Sequence, residues 1–309
     1  MLGEPHWLKP DNPGASRTHE TAHVSAPGKT LAILHKRTAP AGETLHMVSL
    51  IAQDLEAMGI EVVHLEDTST FVPADALLVH IDRSVLPAAV TRFASRYPRH
   101  VNAGALDIRK SRFADGLLSP GDAWPGPVIV KSDLNYGGMP EFSDLNMFQR
   151  GWRRISRVLS GDRTIRIVSK DDYRIFPRLA GMPAGYFGPG NIVQKFLPEK
   201  DGDKNILREY FFLGDVHYEN IERSSNAIID EDEHVSCLPF TPHARLLETR
   251  RKLGLDFGKI DYVMVNGEPF IFDANKTPGL GNGDYFQKHN RHMLKKFAEE
   301  LSQIIGQAA

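Results

Sequence analysis

Three oxygen-bearing side chains, Asp261, Asp273 and Asn275, have the types and spacing to hold a hard cation. Asp273 and Asn275 are two residues apart and share a pleat face if they lie on a strand. Two carboxylates with one amide oxygen suit Mg²⁺, which dehydrates reluctantly and takes the rest of its shell from water and phosphate oxygens. A second constellation lies upstream, where Lys131 closes the apolar run Val128-Ile129-Val130 and Asn135-Tyr136-Gly137-Gly138 follows. A lysine at a strand end beside a glycine turn can meet phosphates, because glycine lets backbone N–H groups approach an anion that the ammonium neutralises. Together the two constellations describe a nucleotide site. Taken alone, the first equally fits a surface hairpin ending in polar residues, and the second is a weak signal.

The elements that must position these groups can be read from the same stretch. Ile260 to Val265 and Phe270 to Ala274 are β-branched and aromatic runs on either side of Asn266-Gly267, which predicts an antiparallel hairpin. Its register decides whether the carboxylates meet. A two-residue loop would set Val265 against Glu268 and Asp261 against Phe272, throwing Asp273 onto the other face. A shared site therefore predicts an odd loop, most simply three residues with Gly267 in the left-handed conformation.

Upstream, strands and helices alternate. Leu31 to Leu34 is a short strand, and Leu45, Val48, Ile51, Leu55 and Met58 recur at helical spacing with Gly59 as a stop. Strands follow at Glu61 to Leu65, Ala76 to Ile81 and His100 to Ala103, with a helix through Leu86, Val90, Phe93 and Tyr97 that Pro98 ends. Such alternation predicts an α/β class with a parallel sheet. Leu145, Phe148, Trp152, Ile155 and Leu159 form another helical stripe whose arginines are its solvated face. Asp162 to Arg178 reads as strands and turns, and Gly181 to Gly190 as a loop. Ile192 to Leu197 is a strand entering a turn, and Leu207 to Leu213 pairs with Val216 to Ile221 around Gly214-Asp215. Thr241-Pro242 reads as the N-cap and first-turn proline of a helix that Gly254 ends, and Phe286, Met293, Phe297, Leu301 and Ile305 mark a terminal amphipathic helix.

Composition narrows the function. With 41% apolar and 25% charged residues, a 309-residue chain can bury a sizeable core, and a formal charge of -2 offers no basic field for nucleic acid or an anionic membrane. No apolar run reaches the roughly 18 residues of a membrane span, and no signal-peptide pattern is seen. Cys237 is the sole cysteine, so a reducing cytoplasmic compartment is expected, and the residue reads as a buried apolar side chain. Residues 1–28 carry early prolines and glycines without a periodic apolar face, which predicts a disordered tail, so His19 and His23 are not expected to hold a metal. Gly28-Lys29-Thr30 ends like a P-loop but lacks the leading glycine and the preceding strand.

Taken in order, these segments resemble the ATP-grasp superfamily over roughly residues 100 to 280. The resemblance implies an N-terminal parallel α/β pre-grasp domain over 29–110, a central subdomain over 111–193 and a C-terminal subdomain over 194–309, the last two being α+β and sandwiching ATP. It gives phosphate-facing roles to Lys110 and Lys131, a cover over the γ-phosphate to the Gly137-Gly138 loop, an adenine hinge to Gln194-Lys195-Phe196-Leu197, and a ribose contact to Asp201. Arg208 corresponds to a strand arginine facing phosphate, and Asp261, Asp273 and Asn275 match Asp…Asp/Glu-x-Asn-x-x-Pro-Gly, which binds two Mg²⁺ ions, with Mn²⁺ as an alternative. Lys259 stands where the family often has arginine and would steady an acyl oxyanion. Plainer alternatives stand beside these roles: Lys195 as a surface lysine, Arg208 as a cross-strand partner of a glutamate, and Lys110 as a solvated helix residue. Two departures are visible. Asp273 replaces the longer glutamate of the family, and Lys276 beside the triad either neutralises phosphate or points away. The segment from Asp162 to Gly190 is longer than the family's link and would form a substrate wall.

The activity implied is an ATP- and Mg-dependent ligase that activates a small-molecule carboxylate as an acyl phosphate for attack by an amine or thiol, with a homodimer allowed. A kinase acting on a hydroxyl and a non-catalytic nucleotide-binding module are the alternatives. The matched motifs contain no evident base for an alcohol, although Glu209 and Asp133 lie outside them.

Overall fold

The computed structural model describes residues 28–35, 47–135, 165, 167, 169–229, 233–280 and 283–306. The proposed tail, the Gly137-Gly138 loop and the stripe from Leu145 to Leu159 lie outside the described residues. Three sheets carry the fold among the described residues. The first contains β1 (Thr30–Leu34), β2 (Glu61–Leu65), β3 (Ala76–Val79) and β4 (His100–Val101) in the order β2-β1-β3-β4, all parallel. Alternation along β1 splits its side chains between two cores. Leu31 and Ile33 pack toward α1 (Met47–Ala57), while Ala32 and Leu34 pack toward α2 (Ala88–Ala94).

The second sheet is antiparallel, ordered β5-β8-β6-β7 from β5 (Leu117–Leu118), β6 (Val128–Ser132), β7 (Arg174–Phe176) and β8 (Asn191–Lys195). The third contains β9 (Glu199–Asp201), β10 (Lys204–Leu213), β11 (Val216–Ser224), β12 (Glu233–Pro239), β13 (Phe257–Val265) and β14 (Glu268–Asn275), with β12-β11-β10-β13-β14 as its path and β9 on β10. Strand β12 has no counterpart among the sequence expectations, because Val235, Cys237 and Leu238 are too short an apolar set to stand out.

The two faces of the third sheet are covered differently. On one, Phe211, Leu213, Tyr218, Cys237 and Phe257 pack under α4 (Gly283–Gly306), whose Phe286, Met293, Phe297, Leu301 and Ile305 all turn inward and join this sheet to α1 and β1. On the other, Tyr210, Phe212, Ile260, Tyr262 and Ile271 pack against α3 (Ala244–Leu253). That helix begins later than its proline suggests. His243 is the N-cap, accepting the Arg245 N–H at Nδ1 at 3.2 Å, and Thr241-Pro242 stays outside; Gly254 ends the helix in the left-handed conformation.

The second and third sheets meet at Asp115-Gly116. Asp115 exchanges main-chain and carboxylate bonds with Ile271, both at 2.8 Å, and accepts Arg245 at 2.7 Å. Gly116 has φ of 63°, and a Cβ there would lie 2.7 Å from the Phe270 ring, so this crossing requires glycine.

Candidate functional site

The hairpin of β13 and β14 has a two-residue turn, with Val265 paired to Glu268 and both Asn266 and Gly267 at positive φ, 54° and 85°. This is the tight Asn-Gly turn, and it corrects the expectation of an odd loop. The extra residue sits inside the ladder instead. Tyr262 pairs with Ile271 and Asp261 with Asp273, leaving Phe272 as a β-bulge. The bulge makes the half-turn that the loop was expected to make, so Asp261 and Asp273 face each other across the strands on one side of the sheet.

Cations from three places close on this pair: Lys110 in a short 3-10 turn, Lys131 on β6 and Lys259 on β13. Lys110, 1% exposed, places Nζ 3.0 Å from Asp273 Oδ1 and donates to Asn135 Oδ1 at 2.9 Å. It is buried, not the solvated residue of the plainer alternative. Lys131, at the end of β6, donates to the Phe272 carbonyl at 3.2 Å, with its ammonium 4.8 Å from the Phe272 ring centroid. That carbonyl belongs to the bulged residue, which has no cross-strand partner in the ladder. Burial lowers the Lys131 pKa to about 7, against the pull of Asp273 and Asp261. Lys259 joins Glu209 to Asp261, lying 3.2 Å from Asp261 Oδ1. Burial, with Glu209 and Asp273 nearby, raises the Asp261 pKa to about 6 although Lys259 opposes it.

Other expected residues take different places. Strand alternation sets Glu209 opposite Asp261 and therefore Arg208 opposite Tyr262, on the α3 face away from the carboxylate pair. There Arg208 meets Glu199 at 2.7 Å and Glu219 at 3.3 Å, the ion pair of the plainer alternative. Its pKa is raised, chiefly through the bond to Glu199. Asp201 pairs with Lys204 on Arg208's side, and its carboxylate accepts Arg223 at 2.9 Å, so the structure does not bring it to the site. Asn275 Oδ1 accepts the Thr277 N–H at 2.8 Å, while the Thr277 hydroxyl lies 3.0 Å from Asp82 Oδ1 and 3.2 Å from Asn275 Oδ1, so the Asn275 oxygen takes part in a turn. Lys276 points away and donates to the Ala105 carbonyl at 2.9 Å.

The hinge is partly occupied. Gln194 donates its side-chain Nε2 to the Asp115 carbonyl at 2.7 Å, and the N–H groups of Lys195 and Phe196 go to Gly116 and Pro127, each at 2.9 Å. Those groups hold the sheet crossing together. Lys195 Nζ lies 4.4 Å from the Trp124 ring centroid, while Phe196 and Leu197 are half-buried. Gly137 and Gly138 lie outside the described residues.

Two residues of the site were missed as members of it. Glu209 was legible only through strand alternation, once β10 is registered against β13. Tyr173 precedes β7, and its pKa is raised first by burial and then by Asp273 and Asp261, so it lies within electrostatic reach of the pair. No local signal marks it. Asp133, the other carboxylate outside the motifs, accepts the Ser111 N–H at 2.7 Å and its hydroxyl at 2.9 Å, tying the residue after β6 to the one after Lys110.

Two opposed carboxylates ringed by three ammonium groups suit a divalent cation carrying an anionic ligand, because each carboxylate raises the cost of ionising the other until a cation lies between them. Asp261 and Asp273 fit such an ion. Among the described residues no group of three or more His, Cys, Asp or Glu forms a protein-only metal cage.

No protein-family model matches the sequence, and comparison with curated proteins gave no match. Solved structures do match. The ATP-grasp ligase PsnB complexed with a minimal precursor is similar at TM-score 0.51 with 10% identity, over 89% of this chain and 98% of that one. The same ligase with minimal precursor, Mg and ADP gives TM-score 0.50 and 10% identity over 89% and 97%. Macrocyclase MdnC from Microcystis aeruginosa MRC, bound with precursor peptide MdnA, gives 0.49 and 12% over 89% and 99%. On the two PsnB comparisons and the sheet arrangement above, this chain has the ATP-grasp fold, as its motifs led one to expect.

Proposed function

We propose that the protein is an ATP- and Mg-dependent ligase that activates a carboxylate as an acyl phosphate for attack by an amine or thiol. The observation that supports this reading is the opposed pair Asp261 and Asp273 with Lys110 3.0 Å from Asp273 and Lys131 and Lys259 beside them. In this reading residues 29–110, 111–193 and 194–309 act as pre-grasp, central and C-terminal units, and ATP lies between the last two with adenine against Phe196 and Leu197. Strand β8 (Asn191–Lys195) runs across the 193/194 boundary within the second sheet.

Asp261 and Asp273 would hold Mg²⁺, or Mn²⁺ in its place, as two ions. When bound, the metal offsets charge on the β- and γ-phosphate oxygens. The chain's own groups act by charge and position. Lys110 and Lys131 hold phosphate oxygens, and Lys259 faces the charge that develops at the acyl carbon. A carboxylate nucleophile is already ionised at neutral pH and needs no base, whereas an alcohol usually wants a positioned proton acceptor. Glu209 is engaged by Lys259 and by Asn220 at 2.7 Å, and Asp133 by Ser111, so neither is poised as that acceptor. These engagements favour the ligase over the kinase.

No helix is long and apolar enough to cross a membrane among the described residues, and a single buried cysteine suits a reducing cytoplasm. The test is a screen of small and peptide carboxylates for ATP consumption with hydroxylamine present. A hydroxamate is expected with the true substrate. A stable phosphate ester without hydroxamate would make the protein a kinase, and no consumption of ATP with any substrate would leave a nucleotide-binding module.

A further inference from the structure

The site face of the third sheet continues beyond the carboxylate pair. Its cross-strand row runs Asp273, Asp261, Glu209, Asn220, Cys237, and Glu222 lies two residues along β11 from Asn220 on the same face. Asn220, 2% exposed, donates its amide nitrogen to Glu209 Oε2 at 2.7 Å and to Glu222 Oε1 at 2.9 Å. With both its N–H groups on carboxylates, its Oδ1 is buried and has no hydrogen-bond partner among the described residues.

Helix α4 crosses this face and brings a second such atom. Its Phe286 meets Phe211 at 6.3 Å between ring centroids, and its Met293 meets Cys237 at 3.9 Å between sulfurs. Asn290 lies between them on the same helical stripe, is 2% exposed, and has a buried Oδ1 likewise without a partner. Phe211 is two residues from Glu209 and Cys237 pairs with Asn220, so the stripe carries Asn290 over the polar row.

Two carboxylates, of which Glu209 already meets Lys259 and Glu222 meets His234 at 3.4 Å, stand with two unsatisfied amide oxygens, so acceptors outnumber donors here. An ammonium group is their chemical complement, having three N–H donors and no lone pair. A hydroxyl supplies one donor, and a thiol or thiolate supplies a weak one or a negative charge that Glu209 and Glu222 repel. Lys259 links Glu209 to Asp261, which puts this row directly beside the carboxylate pair. We propose that Glu209, Asn220, Glu222 and Asn290 seat a primary ammonium group, the acceptor amine of the ligase. This inference rests on the ligase reading and narrows its acceptor from amine or thiol to amine.

The chemistry balances. One proton of the ammonium passes to the Glu222 carboxylate, since Glu209 is held by Lys259, and the freed lone pair forms the C–N bond at the acyl carbon. The bond from that carbon to the phosphate oxygen then breaks with its electrons staying on phosphate, which takes the second proton from nitrogen, leaving an amide and hydrogen phosphate.

The test uses the full chain with Mg-ATP and three probes of equal chain length at matched ionic strength: n-butylammonium, n-butanol and butane-1-thiol. Thermal unfolding should shift up by about 3 °C with the amine at a tenfold excess over its Kd, and not with the other two. Glu222→Gln, which keeps the shape, should weaken amine binding about tenfold, and Asn290→Leu should abolish the shift. Equal shifts from all three probes, no shift from any, or an amine shift that persists in both variants would overturn the ammonium seat; if Mg-ATP still stabilises the protein, the ligase reading survives that result. Absence of stabilisation by Mg-ATP would instead remove the ligase reading, and the acceptor role with it.

Discussion

Lys131 Nζ donates to the Phe272 carbonyl at 3.2 Å across the junction of two sheets, and Phe272 is the bulged residue that brings Asp261 and Asp273 face to face. One backbone irregularity thus aligns the carboxylates and anchors the buried Lys131.

A buried ammonium held this way costs stability when no anion is present. Lys131→Met should stabilise the ligand-free protein by about 1 kcal/mol while abolishing stabilisation by Mg-ATP. The pH dependence has a definite sign. The folded pKa of about 7 lies below the usual 10.5, so between these values the unfolded state holds the extra proton and stability rises with pH. Urea unfolding from pH 7 to pH 10 should show that rise in wild type and its loss in the variant. A variant less stable than wild type at every pH would make Lys131 a structural residue.

Asp261 behaves oppositely. Its folded pKa of about 6 lies above the usual 3.8, so the native state holds the extra proton in that window, and the group's contribution to stability falls as pH rises through it. Asp261→Asn should remove this fall in denaturation measured at pH 4, 5 and 6. It should also lose any Mg²⁺-dependent stabilisation at pH 7. Unchanged Mg²⁺ dependence would place the ion elsewhere.

Arg208 supports the opposite face. Arg208→Met leaves Glu199 and Glu219 uncompensated and should cost about 2 kcal/mol in a denaturant titration, while the Kd for Mg-ATP stays within about twofold. Full stability with lost nucleotide affinity would restore the phosphate role.

Gly116 permits the crossing between sheets. At φ of 63°, with Phe270 2.7 Å from any added Cβ, Gly116→Ala should lower stability by about 1–3 kcal/mol, and Phe270→Leu should recover only the steric part. Equal midpoints for wild type and Gly116→Ala would show that the junction tolerates a side chain.

Much of the architecture is determined locally and was legible. Alternating apolar runs with helical stripes specify the parallel β1 to β4 sheet, Gly214-Asp215 and Asn266-Gly267 specify two hairpins, and the stripe from Phe286 to Ile305 specifies α4, because period and turn chemistry act over a few residues. Asp261, Asp273 and Lys131 were legible as candidates for the same reason, each standing at an identifiable point of a strand. What tertiary structure decided is which face each strand residue presents. Arg208 and Glu209 are adjacent, and only the pairing of β10 with β13 chooses the carboxylate for the site and sends the arginine to Glu199 and Glu219. The bulge at Phe272 moved the extra residue from the loop into the ladder, since Asn266-Gly267 closes a two-residue turn without strain while opposing Asp261 to Asp273 needs one residue more. Asn275 and Asp201 carried the right type and spacing, yet Thr277 and Arg223 hold them, and such partners are set by three-dimensional contact that no spacing along the chain records.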